Sequence, residues 1–192
     1  MSQTKISNQI KQLLLTPSER EAIVACLLGD GTLCQSGKHF RLIVEHAARH
    51  KDYVEWKYNF VKRLCASGVR YTPTNNSWRF GTVGHPEITQ LRQEWYRGSK
   101  QIVENFRLTP MTVAIWFMDD GTKHRDTVDI SVHNFSLESL DVVRKQLSAM
   151  GVETTINSDA KGHRLYVKKS SYPNFKKLVQ PYIVKCMEYK LP

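Results

Sequence analysis

The chain has 192 residues, 41% hydrophobic and 24% charged, which suits one large domain or two small ones sharing a core and excludes a disordered tail. Its 28 Lys+Arg against 18 Asp+Glu leave a formal charge of +10, favouring a polyanionic partner such as nucleic acid, because each neutralised phosphate releases condensed counterions. No apolar run reaches the roughly 18 residues of a spanning helix, residues 1–15 lack the basic-apolar-small pattern of a signal peptide, and Cys26, Cys34, Cys65 and Cys186 show no zinc-ligand spacing. Membrane attachment, zinc fingers and disulfide scaffolds are set aside, and a reduced intracellular setting is expected.

In chain order, Leu15-Thr16-Pro17 opens the first element. Thr16 is a good N-cap and Pro17 suits the first helical position, so a helix is predicted through Ala22-Ile23-Val24-Ala25-Cys26-Leu27-Leu28 to Asp30-Gly31. It is apolar nearly all round and should be buried on more than one side. Phe40 to Glu45 alternates, as a strand does with one face on a core. An amphipathic helix follows over Asp52 to Ala66, ending near Gly68-Val69, then a second alternating stretch from Trp78 to Val83 and a short helix after Pro86. The order then repeats. Leu108-Thr109-Pro110 opens an apolar helix through Val113-Ala114-Ile115-Trp116-Phe117-Met118 to Asp120-Gly121. Val128, Ile130 and Val132 alternate with polar residues, Ser136 caps a helix over Leu137 to Met150, His163 to Lys169 alternates, and Pro173 precedes the last helix. The pairs Asp30/Asp120, Gly68/Gly151, Pro86/Pro173 and Lys100/Lys190 are separated by 90, 83, 87 and 90 residues. Landmarks in one order at nearly one offset mark a tandem duplication. The halves are 1–108 and 109–192, each α-β-β-α-β-β-α.

Two buried helices that each end in Asp-Gly carry a chemical implication. A single Asp-Gly marks a turn. Two of them, at matching places in a basic duplicated chain, would bring Asp30 and Asp120 side by side if a pseudo-twofold axis relates the halves. Adjacent carboxylates repel, and a helix C-terminus disfavours anions, so such a pair needs cations. Oxygen-ligated Mg²⁺ answers that need and can clamp a displacement at phosphate.

Ile23-Val24-Ala25-Cys26-Leu27-Leu28-Gly29-Asp30-Gly31 and Val113-Ala114-Ile115-Trp116-Phe117-Met118-Asp119-Asp120-Gly121 resemble the two copies of the LAGLIDADG motif. Together with the ending Tyr189-Lys190-Leu191-Pro192, they resemble the branch of single-chain homing endonucleases encoded in group I introns of organellar and bacterial genes. The similarity covers nearly everything after Leu15. It implies an α+β fold: two pseudo-twofold-related αββαββα halves forming a saddle of antiparallel sheets, with the motif helices packed at the interface. It implies a monomer that makes a Mg²⁺-dependent double-strand cut at a long, non-palindromic DNA site, one phosphodiester per strand, with Ca²⁺ supporting binding without cleavage. Asp30 and Asp120 would be the essential metal-binding carboxylates, and Gly29 and Asp119 would offer backbone carbonyls to the metals. Lys100 and Lys190 would lie in basic pockets that orient the attacking water and steady the phosphorane charge. Polar residues near His46 and near His133 or Asn134 would complete those pockets, although neither place holds a glutamine. The resemblance also admits a group I intron maturase, with intron RNA as partner, and a catalytically inactive DNA-binding descendant. The expected location is intracellular, in a bacterial cytoplasm or an organelle.

The alternating strands supply a candidate DNA face. Arg41, Arg79, Ser131, His133, Arg164, Tyr166 and Lys168 fall on the solvent side, where a concave sheet in the major groove could read base edges. Loop residues Lys38-His39, Asn75-Asn76-Ser77, Lys123-His124-Arg125 and Lys161-Gly162-His163 would touch phosphates and fix register. Glu45 and Asp129 share that face, and a carboxylate there repels phosphate unless it accepts from a cytosine amino group or pairs with a neighbouring arginine.

Overall fold

A computed structural model describes residues 3–103, 105–160 and 162–192. Lys161 therefore lies outside the described residues. Two compact units divide the chain, Met1–Gln93 and Glu94–Pro192. The first holds α1 (Gln3–Ile10), α2 (Pro17–Leu28), β1 (Thr32–Ser36), β2 (His39–Ala47), α3 (Lys51–Val61), β3 (Arg70–Thr72), β4 (Ser77–Gly81) and most of α4 (Pro86–Trp95), whose last two residues are counted with the second. The second holds β5 (Tyr96–Arg97), β6 (Ser99–Lys100), α5 (Pro110–Asp120), β7 (Gly121–His124), β8 (Thr127–Ser131), α6 (Leu137–Ala149), β9 (Thr154–Asp159), β10 (Gly162–Val167) and α7 (Tyr172–Val179). Each unit carries one antiparallel four-stranded sheet, ordered β1-β2-β4-β3 in the first and β7-β8-β10-β9 in the second. The α+β class and the repeated α-β-β-α-β-β-α order both hold. Helix α1 and the small β5–β6 hairpin are additions that the repeat does not announce. No helix among the described residues is long and apolar enough to cross a membrane.

The compact units divide ahead of the repeat seam at Leu108. The segment that closes the first repeat in sequence packs into the second unit instead. The Trp95 and Phe106 rings meet edge to face at 5.4 Å, the Ile102 N–H donates to Ser139 Oγ at 3.3 Å, and the Leu108 N–H donates to Gln146 Oε1 at 2.7 Å. Trp95, Ile102, Phe106 and Leu108 are all buried, so this segment takes its place by apolar burial rather than by sequence symmetry.

Helices α2 and α5 carry the longest buried runs among the described residues. Every residue from Ala22 to Leu28 and from Met111 to Met118 is buried. In the first unit α2 packs on α3; in the second, α5 packs on α7, β7 and β8. Burying one leucine contributes about 1.5–3 kcal/mol, which outweighs the ~0.3–1 kcal/mol cost of an acidic residue at a helix C-terminus. That balance lets each helix deliver a carboxylate where the backbone disfavours one.

Strand register gives residue equivalences between the units. Aligned on Asp-Gly, Thr32 corresponds to Thr122; Thr32 pairs with Ile43 and Thr122 with Asp129. Val44 then corresponds to Ile130, Glu45 to Ser131 and His46 to Val132. The next ladder agrees, because Val44 lies opposite Phe80 and Ile130 opposite Leu165, all four buried.

Both motif helices open with capping boxes of different chemistry. Thr16 Oγ1 accepts from the Glu19 N–H at 3.2 Å, while Glu19 Oε2 accepts from the Thr16 N–H at 2.8 Å. Thr109 and Thr112 make the equivalent reciprocal pair. The Glu19 carboxylate is buried and also accepts a fork from Arg63, Nε to Oε1 at 2.9 Å and a terminal guanidinium nitrogen to Oε2 at 2.6 Å. That fork, aided by the cap, holds the Glu19 carboxyl below its ordinary value against the opposing pull of burial. A depressed folded pKa contributes stability that is complete above the unfolded value of about 4.3 and is lost as pH falls through the folded one. Glu19→Gln should therefore cost about 1–3 kcal/mol at pH 7. Urea melts of the two proteins should converge as the solution is acidified below the ordinary carboxylate range.

Candidate active site

The two Asp-Gly corners differ in construction. In the second unit α5 continues through Asp119 and Asp120, and the Gly121 N–H bonds back to the Phe117 carbonyl. In the first unit α2 stops at Leu28, so Asp30 sits in a turn beyond the helix, and the Gly31 N–H reaches Cys26 O at 2.8 Å. The helix expected through Asp30 thus ends earlier, because Gly29 leaves helical geometry, with φ −102° and ψ −129°. Both following glycines are required by space. A Cβ on Gly31 would stand 2.6 Å from Cys26 O, and one on Gly121 would collide with the Phe117 ring and carbonyl.

In the first unit Asp30 is solvent-accessible, and its Oδ2 lies 3.7 Å from Nδ1 of the buried His46. Nε2 of that ring is 3.2 Å from Nζ of Lys57, itself only 2% exposed. His46, near which the sequence places a pocket residue, thus lies beside Asp30, and Lys57 behind it is a group the sequence does not single out. In the second unit Asp119, Asp120, Thr122, Lys123 and Lys190 share an open hollow of about 510 Å³. The Lys190 ammonium donates to the Asp119 carbonyl at 2.8 Å. Three of the expected site residues, Asp119, Asp120 and Lys190, are thus gathered in one place. Lys100, expected to close the first half, packs with the second unit, its Nζ 5.2 Å above the Phe135 ring. The position equivalent to His46 is Val132, with His133 exposed one residue on and its ring lying over Gly162. None of the four cysteines is in a disulfide, and burial pushes the Cys65 thiol up to about 12.

The outer face of the first sheet follows the alternation, whereas in β8 Thr127 and Asp129, expected on the solvent side, are buried along with Val128 and Ile130. In the first, Arg41, Ile43 and Glu45 of β2 stand beside Arg79 of β4, with Glu45 directly opposite Arg79. Arg70 of β3 lies opposite Arg79 and extends the basic strip; its alternation with Thr72 was the available signal. Like charges directly opposite each other destabilise a sheet unless an anion lies across them. Lys38 is exposed in the β1–β2 turn. In the second sheet Ser131 pairs with Arg164, which pairs in turn with Asn157, and Asp129 pairs with Tyr166. Lys168 lies beyond β10, its Nζ 3.9 Å from Glu153.

Both carboxylates on these faces are neutralised locally. Asp129 accepts from the Arg164 guanidinium, Nε at 2.9 Å, and His124 Nδ1 lies 3.4 Å away. Glu45 accepts from the Ser77 hydroxyl and from Asn75 Nδ2 at 2.9 Å. The Ser77 bond, then the Asn75 bond, hold its carboxyl below the usual range. Asn75, expected at phosphate, is instead turned onto Glu45, and Asn76, with φ 45°, accepts from the Tyr71 hydroxyl at 2.7 Å. The β3–β4 connection thus spends its amides on Glu45 of β2 and Tyr71 of β3.

The description LAGLIDADG DNA endonuclease family matches residues 20–175. The DNA endonuclease I-ChuI of Chlamydomonas applanata is 27% identical over 92% of this chain and 95% of its own length. The cytochrome b mRNA maturase bI2 of Debaryomyces hansenii is 27% identical over 89% of this chain and 72% of its own length. Among solved structures, the homing endonuclease I-WcaI bound to its DNA recognition sequence superposes with a TM-score of 0.81 at 23% identity, covering 98% of this chain and 91% of that one. A variant of I-DmoI in complex with nicked target DNA in the presence of manganese covers 87% and 98%, with a TM-score of 0.61 at 14% identity.

The corner glycines give a direct test. Gly121→Ala should lose about 1–3 kcal/mol in thermal or urea unfolding through forced overpacking against Phe117. Gly68→Ala, where a Cβ meets nothing within 4 Å, should leave stability nearly unchanged.

Proposed function

Because the chain belongs to the LAGLIDADG DNA endonuclease family, with the motif helix present in each unit, we propose that it is a site-specific homing endonuclease acting as a single chain. It would hydrolyse one phosphodiester on each strand of a long, non-palindromic duplex target. The observation that carries this reading is the hollow at the end of α5, where Asp119, Asp120 and the Lys190 ammonium lie together.

The donors there, carboxylate and carbonyl oxygens, suit a hard divalent cation such as Mg²⁺. Bound ions would supply Lewis-acid stabilisation at the phosphate. The protein's own contribution is positional. A buried helix ends in Asp120, another stops two residues short of Asp30, and corner glycines fix the turns that aim both. Lys190 sets a cation where charge develops on the phosphorane. In this reading Gly29 and Asp119 contribute carbonyls and Lys100 serves as the first half's basic group. The strand faces bearing Arg41, Arg79, Ser131, Arg164 and Tyr166, flanked by Lys38, His133 and Lys168, read bases and grip the backbone. Arg70 joins them. Pairing of Asp129 with Arg164, and of Glu45 with Ser77 and Asn75, lets those acids lie on a DNA face without net repulsion.

The maturase relative supports a second reading, RNA binding by the same basic surface in aid of group I intron splicing. Selection of cleaved sites from a randomised duplex library, with Mg²⁺ and then with Ca²⁺, separates the two. The nuclease reading expects a long asymmetric site, cut in Mg²⁺ and bound uncut in Ca²⁺. Recovery of no cleaved site, together with tight binding and splicing of a group I intron RNA, would establish the maturase instead. With the selected site, Asp30→Asn and Asp120→Asn should each slow cutting of one strand by about 10²–10³-fold or more, leaving binding largely intact. Normal cutting rates in both variants would overturn the role given to these aspartates.

A further inference from the structure

The first unit carries a buried polar pair whose two equivalent positions in the second unit, among the described residues, are valines. His46 is 8% and Lys57 2% exposed, and the lysine Nζ also lies 4.3 Å over the Tyr53 ring, a cation–π contact in a fully buried setting. Strand register equates His46 with Val132. On the helices, Val54, Lys57 and Val61 of α3 and Leu140, Val143 and Leu147 of α6 form the same buried series at i, i+3 and i+7. Lys57 therefore corresponds to Val143. The second unit fills these two core positions with valines, so the fold itself has no need of a histidine and an ammonium there. Burying such a pair costs more stability than burying two valines, so its presence calls for a role outside the fold.

What it does follows from donor chemistry. As an ammonium, Lys57 has donors only, so at 3.2 Å it donates to His46 Nε2, which must be the unprotonated nitrogen. The ring hydrogen is then on Nδ1, which faces Asp30 Oδ2 at 3.7 Å. We propose that Lys57 is a positioning residue for the first half's active site: it locks His46 with its Nδ1–H turned toward the Asp30 carboxylate, which that dipole orients. This deepens the endonuclease reading and rests on it. Valines stand at the places equivalent to His46 and Lys57 in the second unit, so on this proposal the two strands of the target are cut by differently braced carboxylates.

The test uses a closed-circular plasmid carrying the site recovered from the duplex library, with nicked and linear products followed strand by strand. Asp30→Asn and Asp120→Asn define which strand depends on which half. Lys57→Met should slow cutting of the Asp30-dependent strand by about 10–100-fold, with the other strand at its normal rate, so nicked circles accumulate. The double change His46→Val with Lys57→Val copies the second unit's pair. It should fold at least as stably and show the same one-strand defect. Equal slowing of both strands, or no slowing of either, in the folded double variant would overturn the positioning role while leaving the endonuclease reading intact. A wild-type chain that cuts neither strand would overturn both.

Discussion

The arrangement depends on how two apolar helices stop. Each is buried along its length and must then release the chain at once, leaving an acidic side chain at the boundary between core and water. A carbonyl of the helix's last turn approaches so closely that the residue after the aspartate has no room for a Cβ. Glycine after the aspartate is thus a packing requirement first. Once the helix ends there, the following strand starts in a fixed register, and the alternation along β1–β2 and β7–β8 determines which side chains face outward.

Much of this was readable from residues alone. The duplication, the threonine caps and the period-two strands are local patterns, and they placed both sheets and both motif helices. The nearly all-apolar runs Ala22–Leu28 and Val113–Met118 also announced their burial. What local pattern could not show is which groups find partners elsewhere in the fold, by hydrogen bonding in one case and by apolar burial in another. Asn75 looks like a loop amide free to meet phosphate, yet Glu45, 30 positions earlier, claims it. Residues 95–108 look like the tail of the first repeat, but Trp95 and Phe106 find each other and a pocket in the second unit. Lys57 was legible in principle. It follows Tyr53 and Val54 by one helical turn and so lies on the apolar face of α3, where a lysine needs an explanation.

The two halves also show how a repeated fold can diverge without losing its frame. Their capping boxes use glutamate with arginine in one case and two threonines in the other, and satisfy the same backbone donors. Their sheets place a carboxylate at non-equivalent positions, Glu45 and Asp129, and neutralise it with different partners. What stays constant is geometry: helix end, corner glycine, strand order and ladder register. What changes is the identity of the polar groups mounted on it.

The packing of residues 95–108 with the second unit bears on how such chains can be recombined. A crossover between related genes at the repeat seam, near Leu108, would strip the carboxy-terminal half of Trp95, Ile102 and Phe106, and expose the apolar surface they cover. A crossover between Gln93 and Glu94 would carry that cover along with its own core. Chimaeric proteins that exchange halves should therefore tolerate junctions on one side of this segment and not the other, so the unit of inheritance for a working half is longer than the unit that was duplicated.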